Sequence, residues 1–204
     1  MLAIIDYGLG NLGSVVNAFR YLDVEVVLTA DKEDILAAEG IILPGVGAFG
    51  EGMKNLRKRN LDKVVINSVQ KGKPLLGICL GLQLLFSSSE EDPDIKGLDL
   101  IKGRVKKFDE QNISKIPHIG WNQIELTDND PLFKGLKKPR NFYFVHSYYV
   151  VPQNNQFSLG KTIYSSEKFT SVVRKNNIWG IQCHPEKSSK TGLKFLQNFS
   201  EVVK

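Results

Sequence analysis

The sequence predicts an α/β fold: a mixed, mainly parallel central sheet flanked by helices, with an antiparallel extension. Three observations predict it. Over the first half of the chain, short apolar runs alternate with segments of helical spacing, which implies parallel strands covered on both faces. The second half changes to strand-like runs separated by turn-forming residues, as antiparallel strands require. The 204 residues suffice for one sizeable core, and no linker, repeat or low-complexity segment interrupts them, so one domain over 1–204 is expected.

In chain order, LAIID (2–6) is the first strand. Residues 11–22 follow with Leu12, Val15, Val16, Phe19 and Leu22 on one helical face. VEVVLT (24–29) is a second strand, and GIILPG (40–45) a third, ended by Pro44-Gly45. Residues 61–72 read as a helix closed by Gly72, 74–78 as a fourth strand, and 80–88 as a helix directly after it. In the second half, 100–108, 141–151, 169–175 and 177–183 read as strands. A final helix over 188–203 stripes Leu193, Leu196, Phe199 and Val203.

Composition narrows the function classes. The net charge is +5, but the basic residues are scattered, with short clusters at 54–59 and 134–140. A nucleic-acid module would show a basic stripe or an aromatic-interleaved patch. A solvated basic surface is the plain reading, and a face for an acidic partner or phosphorylated ligand the other. No apolar run approaches the about 18 residues that span a bilayer, and MLAIIDYGLG lacks the basic n-region and apolar core of a secretory signal. The expectation is a cytoplasmic protein that binds neither membrane nor nucleic acid. Two cysteines, Cys79 and Cys183, make no disulfide framework, and no Cys/His spacing suits zinc, so no metal is expected.

Gly8-x-Gly10-x-x-Gly13 follows the first strand and opens a helix, with Asp31 near the end of the second strand. This is close to a dinucleotide-binding fingerprint. It is discounted: the motif is short, and glycines are common where a strand turns into a helix.

Gly77-Ile78-Cys79-Leu80-Gly81 lies at a predicted strand-to-helix junction. A buried structural cysteine would explain the apolar neighbours but not the paired glycines. The pattern is the thiol version of a nucleophile elbow, a sharp strained turn that lifts the nucleophile out of the sheet and sets it at a helix N-terminus, where the dipole favours negative charge. A thiolate nucleophile needs a base and an orienter. His184 ends the apolar strand GIQC, with Glu186 two residues on and Pro185 between. In an extended segment i and i+2 project to the same side. One imidazole nitrogen can thus meet the carboxylate while the other faces the sulfur, Glu standing in the Asp role of a triad. A capped turn before the last helix is the bland alternative. His118 and His146 each read as hydrogen-bonded structural histidines, and Cys183 as core. A second oxyanion donor is sought in the glycine-bared loop Leu43–Phe49.

G-x-C-x-G-x-Q at 77–83 with HPE at 184–186 resembles the class I (triad) glutamine amidotransferases, and the resemblance covers essentially the whole chain. DYGLGNLGS (6–14), LPGVGAF (43–49), PHIGWN (117–122), FVHSYY (144–149) and GIQCHPEKS (180–188) look like the glutaminase subunits of imidazole glycerol phosphate synthases. Cys183 departs from that family's usual phenylalanine. The resemblance implies a flavodoxin-like, class I glutamine amidotransferase-like sheet and the following roles. Cys79 would be the nucleophile, His184 the general base and acid, and Glu186 its orienter. Gly47 and Leu80 amides would form the oxyanion hole after a rearrangement of the Gly45–Gly47 loop. Gln83, Ser147 and Tyr148 would hold the substrate L-glutamine, and Asn11, Trp121 and Tyr143 would face a partner. It implies amide hydrolysis through a thioester without a cofactor, and a heterodimer with a (β/α)8 cyclase that takes up the ammonia for histidine biosynthesis. A paralogous subunit supplying ammonia to a nucleotide-sugar or surface-polysaccharide synthase is the alternative. A catalytically silent regulatory subunit of the same fold is a third reading, which the intact triad opposes.

Overall fold

The computed structural model describes residues 1–111, 113 and 115–203. The first half builds β1 (Leu2–Ile5), α1 (Leu12–Tyr21), β2 (Val26–Thr29), α2 (Lys32–Ala37), β3 (Gly40–Leu43), α3 (Phe49–Lys58), α4 (Leu61–Gln70), β4 (Leu75–Ile78) and α5 (Leu80–Leu84). The second half builds β5 (Phe86–Ser89), β6 (Ile101–Lys107), β7 (His118–Gln123), β8 (Glu125–Leu126), β9 (Asn141–His146), β10 (Tyr148–Pro152), β11 (Ser158–Tyr164), β12 (Glu167–Lys175), β13 (Ile178–Ile181) and the long α6 (Ser189–Val203).

The main sheet runs in the order β2-β1-β3-β4-β13-β12-β10-β6-β5, with β11 and β8 continuing from β12. β2, β1, β3, β4 and β13 are mutually parallel; β12, β10 and β6 are then added antiparallel. The predicted class is therefore observed, and the crossover from parallel to antiparallel falls at β13. β7 and β9 form a separate two-stranded sheet. Along β1 alternate residues serve different cores: Leu2 and Ile4 pack with Val16 and Phe19 of α1 and Phe195 and Phe199 of α6. Ala3 and Ile5 pack with Phe49 and Met53 of α3 and Val65 of α4. A period of two on a sheet covered on both faces requires this division. No helix among the described residues is long and apolar enough to cross a membrane.

Two predicted segments end differently. The helix expected over 80–88 stops at Leu84, and Phe86–Ser89 becomes β5. The Leu84 and Leu85 carbonyls, which would continue the helix, are taken by the Leu98 and Ile101 amides at 2.9 and 3.0 Å. The strand expected over 141–151 breaks at Ser147, whose carbonyl accepts the Phe108 amide at 3.0 Å, so its halves join different sheets. α2 and α3 were not anticipated. α2 is capped by Asp31, whose carboxylate accepts the Glu33 amide at 2.6 Å; the acid of the discounted fingerprint is thus a helix cap.

Close backbone approach, more than side-chain volume, fixes α5 on the sheet. A methyl group at Gly81 would overlap the Leu43 carbonyl of β3, whereas one at Gly13 on α1 would meet nothing within 4 Å. Gly81→Ala is expected to cost about 3 kcal/mol, and Gly13→Ala to be neutral or stabilising by under about 1 kcal/mol. Urea unfolding of the two variants measures the contrast.

Candidate active site

Three adjacent parallel strands release their loops at one edge. β3 leads into Pro44–Ala48, β4 into Cys79, and β13 into His184. Ligands of open α/β sheets bind outside these carboxyl ends. A pocket of about 290 Å³ opens there, lined by Val46, Gly47, Cys79, Leu80, Gln83, Glu91, Val145, His146, Ser147 and Tyr148.

Cys79 sits at φ 53°, ψ −108°, a left-handed conformation that costs a non-glycine residue of order 1–3 kcal/mol. Two neighbours hold it there. Its amide donates to the Ile181 carbonyl of β13 at 2.8 Å, and Gly77 lets the next turn close, since a Cβ on it would lie 2.9 Å from the Gly81 carbonyl carbon. Nε2 of Gln182 reaches the sulfur at 3.7 Å.

His184 and Glu186 are both buried, and Nδ1 of His184 lies 2.7 Å from Oε1 of Glu186. The segment is clamped from β9: the His184 amide donates to the Tyr143 carbonyl at 2.8 Å, and the Ser188 hydroxyl joins the Tyr143 amide to the His184 carbonyl. Nε2 of His184 is buried and has no hydrogen-bond partner of good geometry among the described residues. Burial works against charge on this ring. The neighbouring Cys79 sulfur, then Glu186, outweigh it and raise the pKa to about 10. Cys79 lines the pocket, and the imidazole and carboxylate lie buried behind it.

The remaining predicted residues fall in two places. Gly47, Leu80, Gln83, Ser147 and Tyr148 all line the pocket. The Leu80 amide, however, donates to the Gly45 carbonyl at 3.3 Å, so it is not free for an oxyanion in this conformation. Gly47 lies at φ 119°, open to glycine and strained for other residues. Asn11 is the exposed residue preceding α1 and makes no side-chain cap. Trp121 is 57% exposed and meets Tyr143 edge to face at 6.2 Å. The loop before α1 reaches the pocket loop at Gly10, where a Cβ would lie 3.5 Å from Gly45 Cα. Cys183 is fully buried in the core beside α1 and α6.

Sequence reasoning missed Glu91. It is the one acidic side chain lining the pocket among the described residues, and its Oε2 accepts the Phe49 amide at the start of α3 at 2.8 Å. Neighbouring Asp92 accepts the Gly50 amide at 2.9 Å. The clue was the acidic run Glu90-Glu91-Asp92, which reads as solvated surface until the fold brings it to a helix N-terminus.

The three histidines should titrate apart. His184, raised to about 10 from 6.5, adds stability that is complete below pH 6.5 and lost as pH rises through about 10. His118 and His146, lowered by burial to about 4 and about 3, add stability present above pH 6.5 and lost as pH falls through those values. In Cys79→Ala the His184 value should fall, because its largest raising influence is gone. Histidine-ring NMR against pH measures all three.

The class-I glutamine amidotransferase family matches residues 3–202. A relative from Moorella thermoacetica, named imidazole glycerol phosphate synthase subunit HisH, is 48% identical over all of this chain and 95% of its own length. The protein of the same name from Methanocaldococcus jannaschii is 48% identical over the whole of both chains. Among solved structures, PurLQS from Thermotoga maritima superposes with a TM-score of 0.76 at 20% identity, over 100% of this chain and 98% of that one, which speaks for the fold. The chain belongs to the class-I glutamine amidotransferases, enzymes of the glutaminase type, and within them to the imidazole glycerol phosphate synthase glutaminase subunits.

Proposed function

We propose that the pocket hydrolyses the side-chain amide of free L-glutamine and that the ammonia passes to a (β/α)8 cyclase subunit held as a heterodimer. One domain over 1–204, working in the cytoplasm without a cofactor, would carry the activity. The observation that supports it most is the strained Cys79 turn set against the His184–Glu186 pair. The curated relatives bear on the pathway, histidine biosynthesis, through the synthase they are named for.

In this reading the Cys79 sulfur attacks the carboxamide carbon, and the charged His184 ring gives its Nε2 proton to the departing nitrogen. Ammonia leaves and a thioester remains. The now neutral ring takes a proton from water, whose oxygen attacks the thioester; glutamate leaves and the sulfur–imidazolium pair is restored. Glu186 holds the ring with Nδ1–H toward itself, so that Nε2 always faces the sulfur. The tetrahedral oxyanion needs the Leu80 amide, so the Gly45 carbonyl has to turn away. Glycines at 45 and 47 give that loop the freedom to turn, and the Gly47 amide becomes the second donor. The substrate's ammonium group pairs with Glu91, and its carboxylate with amides along Ser147–Tyr148. Ammonia released into water at neutral pH would become ammonium, which is no nucleophile, so a directly docked acceptor is part of the proposal. Asn11, Trp121 and Tyr143 are the face proposed for it.

The deciding experiment is glutamate release by the purified chain, alone and with the same organism's cyclase and its substrate. Strong stimulation is expected. No stimulation, with a cyclase competent on free ammonia, would move the pathway to a different synthase. Cys79→Ala should lower hydrolysis more than about a thousandfold while its complex still uses ammonia at high pH. Glu186→Gln should lose less. Glu91→Gln should raise KM for glutamine about tenfold with a smaller change in kcat, read in the same assay.

A further inference from the structure

A line of hydrogen bonds crosses the protein from β7 to the cysteine sulfur, and its direction is fixed from one end. The Tyr148 carbonyl oxygen can only accept, and Nδ1 of His146 lies 2.8 Å from it. That nitrogen therefore carries the hydrogen. Burial keeps the ring neutral, so its Nε2 can only accept. Nδ1 of His118 lies 3.0 Å from that Nε2 and must donate. Burial keeps His118 neutral as well, so its own Nε2 accepts from Nδ2 of Asn122 at 3.2 Å. Each assignment forces the next.

The same Tyr148 carbonyl continues the line inward. It accepts from Nε2 of Gln83 at 3.2 Å, which also reaches Oε1 of Gln182 at 3.3 Å. Gln182 is the residue whose amide nitrogen meets the Cys79 sulfur. The outer end, Asn122, adjoins the exposed Trp121. The histidines are enclosed by aromatic rings: His118 stacks on Tyr164 at 3.9 Å and on Phe144 at 4.8 Å. Packing alone could be satisfied by phenylalanine. A proton-ordered pair aimed at a pocket carbonyl needs another reason.

We propose that His118 and His146 are positioning residues of the glutamine site, holding the Tyr148 peptide, and through it Gln83 and Gln182, in the register that presents Cys79 to substrate. The proposal rests on the reading of this pocket as a glutaminase site. It predicts that both rings carry hydrogen on Nδ1, the less populated neutral form of a free imidazole, and that removing one N–H is felt at the cysteine.

The first test is 15N NMR of histidine-labelled full-length chain between pH 6 and 8. Expected are two neutral Nδ1–H rings, assigned by single variants; an Nε2–H or charged ring at either position overturns the proposal. The second compares His146→Phe, which fills the aromatic space without the N–H, with His146→Asn, which keeps a donor at the Nδ1 position. His146→Phe should raise KM for glutamine in the cyclase complex by roughly 3- to 10-fold and slow carboxamidomethylation of Cys79 by iodoacetamide in the chain alone. His146→Asn should recover most of both. Equal losses in the two variants that follow their unfolding midpoints, or no change in His146→Phe, would overturn it. Because the tautomers and the alkylation rate need neither glutamine turnover nor partner, they judge the histidine pair even if the wild-type chain proves to hydrolyse no glutamine.

Discussion

The backbone of Cys79 is the constraint on which the rest depends. At φ 53° it cannot relax into the helix or the strand it joins, and four separate features keep it there. β13 takes its amide; Gly77 and Gly81 allow contacts that any side chain would block; and α5 packs Leu82 into the sheet. The strain is therefore distributed over the two strands that also deliver the sulfur and the imidazole. β4 brings the sulfur and β13 brings His184, in register from Ile178↔Leu75 to Ile181↔Ile78. A slip between these two strands would remove the elbow's anchor and move His184 away from the sulfur at once. Fold and candidate chemistry share one hydrogen-bond ladder.

Burial acts alike on all three histidines, yet they end in opposite states. His146 and His118 have each other, an amide and a carbonyl for company, nothing that repays the desolvation of a charge, so they stay neutral and accept a fixed hydrogen-bond order. His184 has a sulfur on one side and a carboxylate on the other, which together push it toward the charged form. The same apolar surroundings that forbid charge at one site strengthen the ion pairs at the other, because both effects follow from low local polarisability. Three rings of identical chemistry thereby divide into one pushed toward the charged form and a pair pushed toward the neutral one.

How much of this was legible in the sequence follows from where each signal lives. The elbow, the histidine and its carboxylate were legible because their spacing is local: G-x-C-x-G and HPE each fit within a few residues. The parallel half was legible because its strands are buried on both faces and so read as unbroken apolar runs, as in β3 and β4. α2 was missed because six residues with one buried side chain, Ile35, leave no periodicity. The break at Ser147 was hidden because alternation continues through it, while what divides the halves is pairing with β7 on one side and β6 on the other. Glu91 and the histidine pair were hidden for the same reason: their meaning lies in partners 42 and 28 residues away.

The closed Leu80 amide then has a physical consequence for the proposed chemistry. The Gly45 carbonyl holds the Leu80 amide that the proposed oxyanion would need, so under the proposed function this conformation would be the resting one. Opening it moves the loop between β3 and α3, and that loop is gripped at three points: Gly10 packs on Gly45, the Tyr7 hydroxyl donates to the Pro44 carbonyl at 2.7 Å, and Glu91 takes the Phe49 amide. Two of the three lie in the segment leading to exposed Asn11, and the third is the residue proposed to receive the substrate's ammonium group. A partner pressing on the first pair and a substrate engaging the third would act on the same loop from its two ends. Both grips hold the same short backbone segment, so their effects on the loop would be coupled. Under the proposed function, the loop would open fully when glutamine and partner are both in place, the state in which released ammonia has somewhere to go.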